Sequence, residues 1–179
     1  PYRPEETQVD LDFVAAGVQE AFTRHLGGRQ VALFTELGRY ITGPHGFLVA
    51  MAIHEKKIWR DYIGLDASAA DLLRPAKYGA YHHITVLGKR EAPQDQVYDV
   101  TGPLCENNDK FAIQRPLPRI EKKDILFIHD AGAHGHAMGF QYNGRLRCAE
   151  VLYTEEGDYR LIRRAETAED YFRTMVFDG

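Results

Sequence analysis

Two short motifs place an arginine where it could bind an anion. The first is Glu36-Leu37-Gly38-Arg39, which follows a continuous apolar run, and the second is Arg74-Pro75-Ala76-Lys77-Tyr78. A glycine lets backbone N–H groups approach a phosphate closely. A guanidinium offers a planar pair of donors to a carboxylate, and a tyrosine hydroxyl can add a third bond. The motifs therefore indicate anion binding, with a surface arginine beside core tyrosines as the alternative for the second one.

A turn-rich loop at residues 102–109 brings a thiol next to a carboxylate. Cys105 is followed directly by Glu106, and the loop ends at Asp109. Reactive groups lie on loops more often than in cores, and a thiol can take part in nucleophilic or proton-transfer chemistry. The alternative is that Cys105 is a small buried hydrophobic residue. The pair is a candidate for catalysis.

Three histidines, His129, His134 and His136, form a pattern that could bind a metal ion. Histidines at positions i and i+2 of a strand face the same side and could bind the same metal ion. Such a pattern is typical of a stand-alone, cupin-like metal- or sugar-binding β module. A cupin-type site would also need a carboxylate a few residues later, and residues 137–141 contain none. We therefore expect no metal, and favour a glycine-rich loop with incidental histidines.

The composition is that of an ordinary folded protein. The 179 residues are 44% hydrophobic and 27% charged, with a formal net charge of −4 and a pI of about 6.1. No basic run marks a nucleic-acid surface, and no stretch approaches the ~18 apolar residues that span a bilayer. The first residues lack a signal-peptide pattern, and Cys105 and Cys148 cannot form a disulfide framework. We expect a cytoplasmic protein that binds neither nucleic acid nor membrane.

The first 44 residues are expected to form one helix and one strand. After the possible caps Asp10 and Asp12, apolar residues recur with a 3.6-residue period, which predicts a helix over residues 10–26 that ends near Gly27-Gly28. The short apolar run of residues 31–35 predicts a buried parallel strand. A helix followed by a buried strand is typical of an α/β unit, and the neighbouring strands would have to come from elsewhere.

From about residue 45 the pattern changes to short strands. Apolar runs separated by turn residues predict strands over residues 47–53, 58–63, 83–87, 124–128 and 149–153. Several short strands in succession favour a β-barrel or a sandwich. Thr167 could cap a short helix within residues 165–175.

These motifs, in order and spacing, resemble the diaminopimelate decarboxylase family, which has the alanine racemase/ornithine decarboxylase-like fold. The resemblance extends from Pro1 to Thr167 and implies the C-terminal portion of such a protein. The fold would be mainly β with an α/β remnant. Residues 1–44 would be the C-terminal end of a (β/α)₈ barrel that binds pyridoxal phosphate, incomplete here. Residues 45–179 would be the Greek-key β-barrel domain of a fold-type III decarboxylase, with a short C-terminal helix.

The resemblance also implies binding roles for the first two motifs. The residues that would contact the phosphate of pyridoxal 5'-phosphate are Glu36, Gly38 and His134. The residues that would bind the distal carboxylate of the substrate are Arg39, Arg74 and Tyr78. A site that leaves these cations unpaired when the carboxylate is missing would select against ornithine-like substrates.

Cys105 and Glu106 would act catalytically in the active site of the neighbouring subunit of a homodimer. Glu106 would also bind the distal ammonium of the substrate, while the thiol could return a proton to the carbon that lost CO₂. The intact protein would convert meso-2,6-diaminopimelate to L-lysine and CO₂. A related enzyme such as carboxynorspermidine decarboxylase is the alternative within this family.

The sequence departs from the family pattern at three points. Leu37 stands where the family usually has proline, and His134 stands where it usually has a tyrosine that contacts the cofactor phosphate. An imidazole could donate a similar hydrogen bond. The family also has a lysine on the first barrel strand that forms a Schiff base with the cofactor, and no lysine here has a matching context. By itself this chain is therefore expected to be inactive.

Overall fold

Most of the regular structure is β-sheet. In the computed structural model, which describes residues 1–27 and 29–176, six strands form one sheet. These strands are β1 (Leu48–Lys57), β2 (Asp61–Leu65), β3 (Ile84–Val86), β4 (Gln96–Thr101), β5 (Lys110–Leu117) and β6 (Ile125–Ile128). Their order in the sheet is β3-β6-β1-β2-β4-β5. The β2–β4 pair is parallel, and the other four pairs are antiparallel.

The sheet curves until its two edges approach each other. The edge strands β3 and β5 border the same cavity of about 420 Å³, which Ile84 lines from one side and Ile113 from the other. A sheet that brings its edges together in this way is barrel-like and leaves little exposed edge. The structure confirms the prediction of a mainly β, barrel-like domain.

The core fills the inside of this curved sheet. In β1, Leu48, Ala50 and Ala52 are buried, whereas the alternating Val49 and Ile53 are exposed, as the two-residue period of a strand requires. The core side chains with no solvent exposure come from β2, β4 and β6: Leu65, Val100, Leu126 and Ile128.

Outside the sheet, the described residues form four α-helices and a separate hairpin. The helices are α1 (Leu11–Leu26), α2 (Gly38–Thr42), α3 (Arg74–Tyr78) and α4 (Ala168–Phe172). The hairpin consists of β7 (Glu150–Tyr153) and β8 (Tyr159–Arg163), which pair antiparallel. Of the residues that the structure describes, no helix combines the length and the apolar character needed to cross a membrane.

The predicted helices at the two ends of the chain are confirmed. Asp10 caps α1 by accepting a hydrogen bond from the Phe13 backbone N–H at 3.0 Å. Thr167 caps α4 in a reciprocal capping box with Asp170. Gly28, near which the first helix was predicted to end, and residues 177–179 of the predicted β domain lie outside the described part of the chain.

The predicted buried strand over residues 31–35 is wrong for this structure. The segment forms no strand, and Val31, Leu33 and Phe34 are exposed, Phe34 to 88%. A strand requires a partner for its backbone N–H and C=O groups, and no strand among residues 1–27 and 29–176 pairs with it. Three strands that form, β4, β5 and β8, were not predicted.

Candidate functional site

The arginines of the first two motifs converge on one aromatic ring. The guanidinium carbon of Arg39 lies 4.0 Å from the centre of the Tyr2 ring, and that of Arg74 lies 5.5 Å from the same centre. A cation is attracted to the face of an aromatic ring at such distances. Although Arg39 belongs to α2 and Arg74 to α3, the fold brings both charges to one place.

Arg39 is held at this place by the loop that follows β6. Its Nη1 donates to the backbone carbonyl of Asp130 at 3.5 Å. The loop itself is tied to the segment after α2, since the Gly132 N–H donates to the Gly43 carbonyl and the Ala131 N–H donates to the Gly46 carbonyl. The α2 segment and the loop after β6 therefore form one surface.

Arg74 is buried, with 8% of the residue exposed, and begins α3. Pro75 in the first turn favours the helical start because its fixed φ suits the helix and its missing N–H is not needed there. The Arg74 Nη1 lies 3.0 Å from Nε2 of His82, which is fully buried. The other ring nitrogen of His82, Nδ1, lies 2.8 Å from the backbone carbonyl of His129.

In the part of the chain that the structure describes, no acidic side chain forms an ion pair with Arg39 or Arg74. Two neighbouring guanidiniums that lack a carboxylate partner attract an anion. The arrangement is suited to a carboxylate or a phosphate.

Tyr78, the third residue of the expected clamp, lies at the end of α3. It follows Arg74 by four residues, so the two side chains lie on the same side of the helix, one turn apart. Tyr78 is 59% exposed, and Gly79 in the left-handed conformation, with φ of 61°, ends the helix after it. The structure thus places Tyr78 beside Arg74 and leaves it open to solvent.

The residues expected to contact a cofactor phosphate lie on the surface formed by α2 and the loop after β6. Gly38 is the first residue of α2, Glu36 precedes it in an exposed segment, and His134 is exposed in the loop with φ of 58°. A Cβ atom at Gly132 would lie 1.9 Å from the Thr42 carbonyl oxygen, so only glycine permits this contact. Exposed imidazole and backbone N–H donors on a single surface fit a phosphate group.

The loop that carries Cys105 and Glu106 is organised by the buried carboxylate of Asp109, whose burial and role the sequence did not predict. Asp109 is 2% exposed and accepts hydrogen bonds from the backbone N–H of Ala69 at 2.7 Å and of Leu104 at 2.8 Å. Burial raises the pKa of Asp109, while the two N–H donors oppose this rise.

Both reactive candidates of this loop are exposed. Cys105 and Glu106 lie at its tip, and Glu106 Oε1 accepts from the Asn108 backbone N–H at 2.8 Å. Within the described part of the chain, no hydrogen bond or ion pair links Cys105 or Glu106 to the arginine cluster. The two groups of candidate residues are therefore separate within a single chain.

Two of the three histidines of the metal hypothesis have different hydrogen-bond partners, and the third is exposed. His129 Nε2 lies 2.8 Å from Thr85 Oγ1, His136 Nδ1 lies 2.5 Å from an Arg147 nitrogen, and His134 is exposed. In the described ranges, no group of three or more histidine, cysteine, aspartate or glutamate side chains could hold a metal ion. This geometry does not support the cupin-like module.

Comparisons with known proteins point to one family. The family model described as "Pyridoxal-dependent decarboxylase, C-terminal sheet domain" matches residues 40–132. The chain is 49% identical over 171 residues to protein TabA of Pseudomonas amygdali pv. tabaci, covering 96% of this chain and 40% of TabA. It is 40% identical over 177 residues to the diaminopimelate decarboxylase of Methanothermobacter thermautotrophicus, covering 97% of this chain and 41% of that protein.

A solved structure gives the same result. Diaminopimelate decarboxylase from M. jannaschii in co-complex with L-lysine aligns with a TM-score of 0.88 and 31% identity, covering 98% of this chain and 41% of that chain. The chain spans about two fifths of the length of the curated relatives that it matches.

Proposed function

Because the chain belongs to the pyridoxal-dependent decarboxylases, with its match in their C-terminal sheet domain, we propose that the full-length protein is a diaminopimelate decarboxylase. This carboxy-lyase would convert meso-2,6-diaminopimelate to L-lysine and CO₂. The proposal is supported by relatives of that name and by the site described above. The region of residues 1–179 would supply the substrate clamp and the loop with the thiol.

The pairing of Arg39 and Arg74 on Tyr2 is the observation that carries the substrate assignment. Diaminopimelate has a second carboxylate, far from the one that leaves as CO₂, and this distal group would bind to the two guanidiniums on sides that the Tyr2 ring does not cover. Tyr78 would add a hydroxyl donor from the end of α3. As substrates, ornithine and lysine would have to place their one carboxylate at the reacting end and leave the two cations without a counter-ion, so the clamp would select against their decarboxylation.

Cys105 and Glu106 would complete the site of a second subunit in a homodimer. In that position Glu106 would pair with the distal ammonium of the substrate, and the Cys105 thiol would return a proton to the carbon from which CO₂ departs. This role requires a reduced thiol, and neither cysteine is in a disulfide in the structure. A cytoplasmic location would keep it reduced.

Glu36, Gly38 and His134 would hold the phosphate of pyridoxal 5'-phosphate. The exposed His134 imidazole can donate one hydrogen bond, and the backbone near Gly38 can donate others. When bound, the cofactor supplies an electron sink for the pair of electrons that remains after CO₂ leaves. The residues of this chain would position that cofactor and the substrate's distal groups.

The test is an assay of the full-length gene product with added cofactor. We expect CO₂ release from meso-2,6-diaminopimelate and at least tenfold lower kcat/KM with L-lysine or ornithine. Arg74→Met, which keeps much of the side-chain length, should raise the KM for diaminopimelate about tenfold or more. Equal turnover of ornithine and diaminopimelate would overturn the substrate assignment.

A mixing experiment tests the shared site. At a substrate concentration well below KM, a full-length variant with Cys105→Ala should be nearly inactive alone, and one with Arg74→Met should have about a tenth or less of the wild-type activity. Under the same condition a mixture of the two variants should regain part of the activity, because mixed dimers contain one intact site. Failure to regain activity despite subunit exchange would count against a site formed by two chains. Cell fractionation would test the cytoplasmic location.

A further inference from the structure

We propose that His82 is a positioning residue that orients the Arg74 guanidinium without neutralising its charge. The inference rests on the proposed function, in which Arg74 binds the distal carboxylate of the substrate. His82 would touch neither substrate nor cofactor and would act only through Arg74.

The geometry determines which nitrogen of His82 carries the proton. The His129 carbonyl can only accept a hydrogen bond, so the Nδ1 that lies 2.8 Å from it is the protonated nitrogen. The guanidinium of Arg74 can only donate, so the Nε2 that lies 3.0 Å from it must be the acceptor. Both contacts are satisfied together only by the neutral imidazole with its proton on Nδ1.

The surroundings of His82 favour this neutral form. The ring is fully buried, and burial lowers the pKa of His82. The positive charges of Arg74 on α3 and Arg39 on α2 act in the same direction, whereas the His129 carbonyl and Asp130, both in the segment after β6, oppose them. From β5, Arg115 Nη1 donates to the backbone carbonyl of His82 at 3.0 Å.

A neutral acceptor such as His82 can hold the Arg74 guanidinium without cancelling its charge, which a carboxylate could not do. An aspartate or glutamate is a common partner of a buried arginine and would hold the guanidinium firmly. It would also cancel the charge that must attract the substrate. The imidazole fixes one N–H of Arg74 and leaves the net charge of Arg74 and Arg39 in place, since neither forms an ion pair in the described part of the chain.

The Gln and Glu variants of His82 separate orientation from charge. In the full-length gene product, His82→Gln places a neutral acceptor near the position of Nε2, and His82→Glu places a charged one of nearly the same size there. We expect a KM for diaminopimelate within about threefold of wild type for His82→Gln and at least about tenfold higher for His82→Glu. In both variants kcat should change less than KM.

Two inhibitors provide a matched control. L-lysine keeps a carboxylate for the clamp, whereas cadaverine has none. The inhibition constant of L-lysine should rise in His82→Glu by about the same factor as KM, and that of cadaverine should not. If His82 only stabilised the fold, both inhibitors would weaken together, and this result would overturn the inference.

The pH profile gives a second measurement that does not depend on how well His82→Glu folds. Protonation of His82 removes the acceptor at Nε2 and places a like charge beside Arg74, which would push the guanidinium out of the position that binds the substrate. The wild-type KM for diaminopimelate should therefore rise as the pH falls through the pKa of His82, which lies below the ordinary histidine value, and His82→Gln should lack this rise. Identical profiles for the two proteins would contradict the proposal.

The outcomes also distinguish failure of the proposed function from failure of the role of His82. A wild-type protein that does not decarboxylate diaminopimelate would overturn the proposed function and this inference with it. A wild-type protein that is active, with the same KM in His82→Gln and His82→Glu, would overturn the role of His82 alone.

Discussion

The six-stranded sheet buries many of its apolar residues, whereas the segments that flank it expose theirs. In the sheet, Leu126 and Ile128 have no solvent exposure, whereas in α1 Phe13 is 78% exposed and in β8 Leu161 is 60% exposed. The sheet closes around its own core, so its stability comes from contacts within this chain. The flanking helix and hairpin leave apolar surface uncovered, and their stability depends on whatever covers that surface.

The largest expected effect is on the sheet core. Leu126→Ala should lower the free energy of unfolding by about 2–5 kcal/mol because it removes fully buried methyl groups and leaves a cavity. Leu161→Ala in β8 is the matched control and should change it by less than about 0.5 kcal/mol. Urea denaturation followed by circular dichroism measures both, and equal losses would remove the distinction between the two regions.

Asp109→Ala should have the next largest effect. It leaves the buried N–H groups of Ala69 and Leu104 without acceptors, which should cost about 2–3 kcal/mol of unfolding free energy. The loop with Cys105 should also become more sensitive to proteolysis than in the control Asn107→Ala. An unchanged denaturation midpoint would show that Asp109 does not organise this loop.

The two cysteines should differ in reactivity. Packing around the sulfur and the nearby Asp71 carboxylate raise the pKa of the Cys148 thiol to about 11, although part of the residue is exposed. At pH 8 only about one thiol in a thousand would then be the reactive thiolate. A disulfide reagent should modify Cys105 first, and labelling of Cys148 should accelerate about tenfold per pH unit up to its pKa. The variant Cys105→Ser isolates the slower reaction, which should be absent in Cys148→Ser.

Asp10→Ala should have the smallest effect on the whole chain. Loss of the cap costs α1 about 1 kcal/mol of helix stability. No residue of α1 is buried, so amide exchange in α1 should accelerate while the denaturation midpoint of the sheet stays the same. A lower midpoint for the sheet would mean that the helix and the core unfold together.

Sequence alone predicted the elements whose signals are local. The capping residue Asp10 directly precedes the apolar residues whose spacing predicts α1. In α4, the capping residue Thr167 lies three residues from its partner Asp170. The strand β4 was missed because it contains the buried Asp99, whose partners Arg60 and Lys110 come from distant parts of the chain. Such long-range compensation is not visible in a hydrophobic pattern.

In the candidate site, too, contacts between residues that are distant in sequence could not be predicted. The motifs with Arg39 and Arg74 identified residues that the fold brings to one ring, but nothing in either motif predicted that ring to be Tyr2. The role inferred for His82, four residues after the second motif, depends on its contact with the backbone carbonyl of His129, which is 47 residues away. The strand predicted over residues 31–35 failed for a related reason, since pairing depends on a partner and not on the segment itself.

The contact between Gly46 and Gly132 has a consequence for how the protein can vary. A Cβ atom on Gly46 would lie 2.4 Å from the Gly132 backbone, so a methyl group there would push the α2 segment away from the loop after β6. Such a substitution would change the spacing between Arg39 and His134 without altering either side chain. Two residues that have no functional group would then set the spacing between these two side chains through steric exclusion alone.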